Sequence, residues 1–521
     1  MAAGWLPAAF RGRYRMGGYW KFGRVARGGR WQNGENMDAS NLTREKRMAF
    51  DVIERNARAI ALTGDNIFYF GELGNQEYES AALMSGLLEK EGFTVERGLS
   101  GFPTSFLASF GSGGPVIALH TEFDANPDNS QKPGVAEAQA IVEGAPGHCE
   151  GHNVNAAVMI GAAIALKRVM AESGLKGTIK VFGAPAEEQV LSRPYFVRDG
   201  YFDDVDIALH PHIGPELSVG YGLQQSALIS VTFTFHGETA HAGVAPWKGR
   251  DALDAVVLMD MGLAQYREHM APTSRLHRTI TEGGLQPNVV PKRASIWWYF
   301  RDPTAEGAEK LFAHAKKVAE GAALMTNTTW EHTVLSAVWP TRGNRTVADT
   351  VYRNMEIVGH PHWDEGEHDL ARRLQERAGV SVEGLRDQLP PYKGEARQRP
   401  SANDGGDVSW KVPMVKFYFP ANIPNIGFHH WAAGVALATS IAHKGAVAGA
   451  KVLAASALDF LTNPALVDEA KRSFAEELGG VAYRPLLPVG QEPPRALNHD
   501  KMEPFRARMK EHYLAEKPEF V

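Results

Sequence analysis

The stretch Gly147-His148-Cys149-Glu150-Gly151-His152-Asn153 brings two imidazoles and a carboxylate together within five residues. An apolar, alanine-rich run over residues 154–166 follows directly and predicts a buried helix. The polar cluster therefore lies at the start of the predicted buried helix. Imidazole and carboxylate groups are the usual ligands of Zn²⁺ and similar divalent ions. A loop of solvated histidines is the alternative interpretation, and the rest of the chain has to decide between the two.

Three further apolar segments each lead into acidic or imidazole side chains. These segments, with the side chains that follow them, are residues 115–119 with His120, Glu122 and Asp124, residues 177–183 with Glu187 and Glu188, and residues 205–209 with His210 and His212. Strands that are apolar throughout are typical of a parallel sheet covered on both faces. Ligands of such sheets bind at the carboxyl ends of the strands. The pattern predicts an α/β fold, a mostly parallel sheet flanked by helices, with a site at that edge.

From about residue 226 the pattern changes to alternating strands and amphipathic helices. A strand over residues 227–235, a helix over 250–265, a strand over 295–300 and a helix over 305–320 predict a small α+β domain, ferredoxin-like in type. We expect this lid or dimerisation domain to be inserted into the larger catalytic domain. The predicted boundaries are catalytic segments 41–225 and 336–490, an insert at 226–335, and a C-terminal tail at 491–521.

The composition is that of an ordinary globular protein, because 44% of the 521 residues are hydrophobic and 22% are charged. The net charge of −5 gives no bias toward nucleic acid or a membrane surface. We find no apolar run that is long enough to span a bilayer. The single cysteine, Cys149, excludes an intrachain disulfide, so we expect a cytoplasmic protein.

The N-terminal residues 1–40 depart from the rest of the chain, because they are rich in arginine and contain no acid before Glu35. A transit peptide, a basic tail for nucleic acid and an overlong reading frame that precedes Met37 are the alternatives. We expect a basic leader that is disordered or non-native, and we assign no function to it.

Several motifs, in the same order along the chain, resemble those of the M20 family of metallo-hydrolases, and in particular its p-aminobenzoyl-glutamate hydrolase branch. The similar segments lie between about residues 45 and 490 and are residues 115–124, 147–153, 184–188, 202–211, 237–242, 249–254, 286–290, 406–410 and 440–445. The resemblance implies a metal site with one or two ions in the larger domain. It also implies a lid domain through which the chain forms a homodimer or a higher homo-oligomer.

The resemblance also implies roles for individual residues. The implied metal ligands are His152, Glu188, His210 and His429, together with Glu150, which occupies the position of a further ligand. Glu187 falls on the general base of the family, and His241 falls on a lid histidine that reaches the active site, often that of the partner subunit. Asn288 and Arg250 fall on expected substrate contacts.

Reasoning from the residues adds neighbours of these ligands. Asp124 can orient His152 through a hydrogen bond, as metal-bound imidazoles require. His148 is expected beside the ligands without touching the ion. His120 and His212 are reserve ligand candidates, and His429 is preferred to His430.

Two departures from the family pattern lie where metal and substrate would meet. Glu150 stands where this branch usually has a cysteine ligand, and Gln189-Val190 stands where the family usually has two glycines. A carboxylate is a harder ligand than a thiolate and shifts the preference toward Mn²⁺. We expect one or two divalent ions per chain, either Mn²⁺ or Zn²⁺.

The resulting functional hypothesis is a hydrolase that cleaves a C–N bond of a small aromatic substrate, in the first instance an aminobenzoyl-amino acid amide, by means of metal-activated water and a glutamate base. The first alternative is hydrolytic deamination of an aromatic amine such as 5-nitroanthranilate, with release of ammonia. The second, of another class, is a non-catalytic metal-binding partner subunit. None of these hypotheses involves nucleic acid or a membrane.

Overall fold

The structure is a computed structural model that describes residues 42–521, and the predicted leader therefore lies outside the described residues. The helices are α1 (Arg44–Arg55), α2 (Ala57–Phe70), α3 (Tyr78–Lys90), α4 (His152–Ser173), α5 (Ser192–Arg198), α6 (Ala252–Tyr266), α7 (Ala305–Thr326), α8 (Arg345–Val358), α9 (Glu365–Arg377), α10 (Gly406–Lys411), α11 (Trp431–Gly434), α12 (Ser440–Thr462), α13 (Pro464–Leu478) and α14 (His499–Lys510). The strands are β1 (Thr94–Arg97), β2 (Phe106–Ser112), β3 (Val116–Thr121), β4 (Gly177–Gly183), β5 (Ile207–Gly214), β6 (Ser218–Val219), β7 (Leu223–Gln225), β8 (Ala227–His236), β9 (Arg275–Glu282), β10 (Arg293–Asp302), β11 (Thr329–Val338), β12 (Arg397–Arg399) and β13 (Met414–Pro420).

The larger sheet has seven strands in the order β1-β2-β4-β3-β5-β13-β6. Its four central strands, β4, β3, β5 and β13, are parallel, and the strands at both edges pair antiparallel. The predicted α/β class and the parallel centre are confirmed. The sequence analysis missed β2, because its sequence Phe-Leu-Ala-Ser-Phe-Gly-Ser contains no β-branched residue.

Two long apolar helices, α4 and α12, form the interior of the larger domain. The run after His152 is a buried helix, as predicted. By length and composition both helices would pass as membrane spans, with 83% and 78% of their apolar windows buried inside the fold. The expectation that no run is long enough was therefore wrong, and the burial of both helices against the protein accounts for their apolar composition.

The smaller sheet is antiparallel, with the strand order β11-β8-β10-β9. Its elements follow the chain as β8-α6-β9-β10-α7-β11, which is the ferredoxin-like arrangement that the sequence predicted. The structure adds strands β9 and β11 to the predicted elements. The limits of these strands and helices agree with an insert near residues 226–335, whereas the domain boundaries themselves stay a prediction.

The predicted C-terminal tail contains helix α14, whose Met502 and Met509 are buried. The last residue returns to the start of the described chain, where the Val521 backbone N–H donates to Asn56 Oδ1 at 2.6 Å. The tail thus packs along α2 rather than extending into solvent.

Candidate metal centre

The carboxyl edge of the parallel strands gathers histidine and glutamate side chains into three overlapping groups. Within each group the ligand atoms lie within 4.8 Å of one another, and the groups, searched over the described residues, are Glu122 with His152 and His212, Glu150 with Glu188 and His429, and His152 with Glu187 and Glu188. Their members come from the ends of β3, β4 and β5, from the loop before α4 and from the loop before α11. The edge predicted from the polar strand ends is therefore where the groups form.

His152, the first residue of α4, is placed for binding through one nitrogen. Its Nδ1 lies 3.2 Å from Asp124 Oδ1, and its buried Nε2 has no hydrogen-bond partner. The turn before it needs a glycine, because Gly151 has a φ of +79° and a Cβ there would lie 2.4 Å from Ile213 Cδ1. Asp124 therefore orients this imidazole by the contact that the sequence predicted.

Asp124 holds a second member of the site as well. Its Oδ2 accepts a hydrogen bond from the Glu188 backbone N–H at 3.0 Å, and Asn126 Nδ2 donates to Glu188 Oε1 at 2.5 Å. The Glu188 residue is thus held at both its backbone and its side chain.

Glu150 and His429 meet across the site although they lie far apart in sequence. His429 Nε2 lies 2.7 Å from Glu150 Oε2 and 3.4 Å from Glu188 Oε2. His429 is part of the ligand group, whereas His430 caps helix α11 through its Nδ1. The structure thus brings Glu150, Glu188 and His429 together as the resemblance implied.

The structure brings the reserve candidate His212, and not the predicted ligand His210, into one of the three groups. His210 Nε2 is hydrogen-bonded to Glu122, with Oε2 at 2.9 Å, and His210 belongs to none of the three groups. His212 instead binds the Ile213 carbonyl through Nδ1 at 2.9 Å, and its buried Nε2 makes no hydrogen bond. His210 Nδ1 is also buried without a hydrogen-bond partner, so the contact with Glu122 leaves one nitrogen of His210 free.

The predicted neighbour His148 and the reserve ligand candidate His120 are both fully buried. His148 is buried, with Nε2 3.1 Å from the Ile67 carbonyl, and burial lowers its pKa to about 3. His120 lies beside His210, with ring centroids 4.6 Å apart, and burial holds its pKa well below the usual value. Neither histidine belongs to the three groups.

The three residues predicted on the lid lie near one another but outside these groups. His241 pairs with Val289 in an isolated bridge, and the Asn288 carbonyl accepts a hydrogen bond from the Ala242 N–H at 3.0 Å. Arg250 pairs with Glu238 in a second bridge. The residues His241, Asn288 and Arg250 are all exposed, so this corner of the insert presents them on its surface.

The electrostatics of the groups suit a divalent cation. Burial lowers the pKa of His212 to about 3, which leaves its imidazole in the neutral form that binds metals. Burial, followed by the charge of Glu150, raises the pKa of Glu188 to about 7. Burial is also the main reason that the pKa of Glu187 lies well above its usual value. Buried carboxylates this close together repel one another, and the buried Nε2 atoms of His152 and His212 lack hydrogen-bond partners. The residues present therefore fit a metal ion.

Two asparagines that hold carboxylates were missed by the sequence analysis. Asn126, two residues beyond Asp124, donates to Glu188, and Asn403, in the polar loop before α10, donates to Glu187 Oε1 at 2.5 Å. Asn126 could have been predicted as a site residue, because it closely follows the end of a buried strand. Nothing in the composition of the loop around Asn403 marked that residue.

Comparison with known proteins places the chain among hydrolases. A family model described as the peptidase dimerisation domain matches residues 223–325, which cover most of the insert. The chain is 33% identical over 470 residues to one of the subunits of p-aminobenzoyl-glutamate hydrolase from Escherichia coli, an alignment that covers 85% of this chain and 97% of the relative. It is 26% identical over 453 residues to the Xaa-Arg dipeptidase of Mus musculus, covering 84% and 93% of the two chains.

A solved structure of another protein shares the fold. It is the aminobenzoyl-glutamate utilization protein from Klebsiella pneumoniae, which superposes with a TM-score of 0.51 at 19% identity and covers 76% of this chain and 97% of that chain. At this identity the likeness concerns the fold alone.

Proposed function

Since the chain belongs to the M20 peptidase family, as its motifs predicted, we propose that it is a metal-dependent hydrolase that cleaves the amide bond between an aromatic acyl group and an amino acid. The observation that carries the proposal is the geometry around His152 and His212. Each imidazole is fixed through Nδ1 and turns an unpaired, buried Nε2 toward carboxylates, one of which is Glu187.

His152, His212, Glu150, Glu188 and His429 would hold the metal. A divalent ion held there would supply a water of lowered pKa and polarise the substrate carbonyl. Four of these five residues were predicted as ligands, and His212 replaces His210. A set of imidazoles and carboxylates without a thiolate supports Mn²⁺ or Zn²⁺, with one or two ions per chain.

Glu187 is the proposed general base. Asn403 occupies its Oε1, while Oε2 lies 3.8 Å from His152 Nε2 and is directed at the ligand groups. Burial raises the pKa of Glu187 well above its usual value, which suits a carboxylate that takes a proton from water and returns it to the leaving nitrogen.

Aromatic side chains beside the site support an aromatic substrate. The Phe428 ring lies edge-on to His212 with centroids 6.0 Å apart, and this residue is 38% exposed. Tyr418 flanks the same imidazole at 5.9 Å. Arg301 lies 5.5 Å from the centre of the Tyr299 ring with its buried Nε unpaired, so it offers a cation for the carboxylate of an amino acid product.

Ring deamination with release of ammonia is the second candidate. It is favoured by the departure at Val190, a bulkier residue than the glycine that the family usually has beside the paired glutamates. A flat aromatic amine fits a narrow site better than a branched amide does. The non-catalytic alternative is disfavoured, because the base and the ligand groups are all present.

We further propose that the chain acts as a homo-oligomer in the cytoplasm. The dimerisation domain match over residues 223–325 supports self-association. The exposed positions of His241, Asn288 and Arg250 suit residues that complete the site of a second copy.

The decisive experiment compares wild type with Glu187→Gln after both are loaded with Mn²⁺ or Zn²⁺. We expect wild type to release an amino acid from aminobenzoyl-amino acid amides, and Glu187→Gln to retain its metal while kcat falls by roughly 10²- to 10⁴-fold, the contribution of a general base. Glu143→Gln, at an exposed position, removes the same charge and should leave kcat unchanged. Ammonia from aromatic amines instead of an amino acid would establish the second candidate. Absence of both products from metal-loaded wild type would contradict the proposed catalysis.

A further inference from the structure

The side chain of Asn403 is placed to aim the Glu187 carboxylate. Asn403 is only 2% exposed, and its Oδ1 accepts a hydrogen bond from the Gly405 N–H at 2.8 Å. Because that acceptor end is taken, the donor end Nδ2 faces Glu187, whose Oε1 lies 2.5 Å away. The orientation of the amide is thus fixed by the loop itself.

The loop that carries Asn403 is locked by the residue that follows it. Asp404 accepts hydrogen bonds from the Arg193 backbone N–H at 3.1 Å and from Ser192 Oγ at 3.3 Å, and it also forms an ion pair with the Arg193 guanidinium. The other guanidinium nitrogen of Arg193 pairs with Glu122, and all three charged side chains are fully buried. Charge-assisted bonds in a dry interior are strong, so the backbone at Asn403 has little freedom.

Asn403 and Asn126 form a matched pair around adjacent glutamates. Asn126 Nδ2 holds Glu188 Oε1 and Asn403 Nδ2 holds Glu187 Oε1, each at 2.5 Å. Both glutamates belong to the group with His152, toward which Glu187 directs its free oxygen, and Glu188 alone also belongs to the group with Glu150 and His429. Each amide therefore leaves one oxygen of its glutamate free for a separate task.

We propose that Asn403 is a positioning residue that sets the direction of the Glu187 carboxylate, and that the Asp404–Arg193 ion pair fixes Asn403 in place. This inference rests on the proposed function, in which Glu187 is the base. Asn126 has the corresponding effect on Glu188 and hence on metal retention. Asn403 thus acts on turnover through Glu187, and Asn126 acts on metal binding through the adjacent Glu188.

The test replaces each amide by a side chain of similar size without a donor and measures kcat, KM and metal content per chain. Asn403→Leu should lower kcat by about 10²-fold, the effect of misplacing a catalytic group by about 1 Å, while KM changes less than about twofold and metal content stays at the wild-type value. Asn126→Leu should lower the metal content. Asn463→Ala removes a helix-capping amide elsewhere and should change none of the three quantities.

A second variant and a second measurement keep the test decisive. Asn403→Asp retains the acceptor for the Gly405 N–H but turns a carboxylate toward Glu187, so it should lower kcat at unchanged metal content even if Asn403→Leu does not fold. Crystal structures of metal-loaded wild type and variant should show the Glu187 carboxylate displaced in the variant. A kcat within about threefold of wild type, a loss of metal that matches the loss of kcat, or an unmoved Glu187 would overturn the inference.

If wild type turns over neither amides nor aromatic amines, the proposed function fails, and the Glu187 positions in the two crystal structures still decide the role of Asn403.

Discussion

Val190 combines backbone strain with a buried side chain immediately after the paired glutamates. Its φ of 58° lies in the left-handed region, which a β-branched residue rarely adopts. Its side chain is nevertheless buried with Leu228 and Val338. The conformation explains why glycine is usual at this position in the family, and it means that packing outweighs the strain here.

This balance gives a residue-scale prediction. Val338→Ala, in the same cluster but on strand β11, should lower the free energy of unfolding by about 2 kcal/mol through lost burial. Val190→Ala removes the same atoms and also relieves the strain of a branched side chain, so its loss should be smaller by about 1 kcal/mol. Denaturant titrations of the two variants check this. Equal losses of unfolding free energy in the two variants would mean that the branched side chain of Val190 adds no strain.

The site residues show what a sequence can and cannot resolve. His210 and His212 lie two apart on one strand and so face the same side of the sheet. The sequence predicted an imidazole ligand there, and only the folded structure shows that His212, rather than His210, lies within a ligand group. Asn403 lies more than two hundred residues from Glu187, and no local pattern predicts that kind of contact.

At the scale of elements, helices α4 and α12 pack closely against their neighbours through glycines. A Cβ at Gly449 would lie 2.8 Å from Phe419 Cγ and 3.0 Å from Val158 Cγ2. Gly86 in helix α3, by contrast, has no atom within 4 Å of an added Cβ.

The two glycines therefore predict opposite effects of one substitution. Gly449→Ala should destabilise the protein by about 1–3 kcal/mol, because the packed interface has to move. Gly86→Ala should stabilise it by about 0.5–1 kcal/mol, because alanine loses less backbone entropy in a helix. Thermal unfolding of both variants measures the contrast, and shifts of the same sign would contradict the described packing.

Asp407 ties three elements together at a buried position. It accepts hydrogen bonds from the Trp339 N–H after β11 and from Tyr483 Oη after α13, and it lies in α10. Burial is the main cause that raises its pKa to about 7, from an ordinary value of 3.8.

The raised pKa of Asp407 makes the stability of the protein depend on pH. Between pH 3.8 and about 7 the carboxyl ionises in the unfolded chain but stays protonated in the fold, so the fold loses stability as pH rises. We expect the stability of wild type to fall relative to Asp407→Asn by on the order of 4 kcal/mol over this interval and to change no further above it. The exposed substitution Asp468→Asn serves as the charge control. A pH-independent difference between wild type and Asp407→Asn would disprove the shift.

The predictions of strands succeeded where the hydrophobic pattern was strong. They failed for edge strands, which are defined by their pairing with a neighbouring strand and not by a pattern of their own. The apolar central strands and the alternating strand β8 were predicted because each bears a continuous pattern. Strand β9 is exposed along most of its length, so its residues carry no apolar alternation and its pairing with β10 alone defines it.

At the scale of the whole molecule, one side of the insert remains free among the described residues. Strand β9 is an edge of the small sheet, whereas the opposite edge strand β11 contacts the larger domain, where Tyr195 Oη donates to the Leu335 carbonyl at 2.8 Å. Apolar residues Val257, Met261 and Ile280 are 47%, 54% and 44% exposed on α6 and β9. Exposed apolar side chains beside a free strand edge are typical of an interface between copies.

We predict that the double substitution Val257→Lys and Met261→Lys converts the proposed homo-oligomer to a monomer with an unchanged fold. The charged side chains would have to be buried without partners in the interface. Light scattering after size-exclusion chromatography measures the mass, and circular dichroism checks the fold. Leu324→Lys, on the exposed side of α7, is the control and should leave the mass unchanged. An intact oligomer in the double variant would place the interface elsewhere.

The pairing of α4 with α12 has a consequence for how the protein is synthesised. Helix α4 leaves the ribosome early, but α12, which packs on it near Gly161 and Ala450, follows only after the whole insert has been made. At translation rates of about 5–20 residues per second the delay is on the order of tens of seconds. Throughout that interval the side of α4 that α12 covers lacks its partner, although α1, α2 and strands β3 to β5 have already been made. We expect the insert to fold first. The larger domain can complete its fold only after the segment that contains α12 has been synthesised.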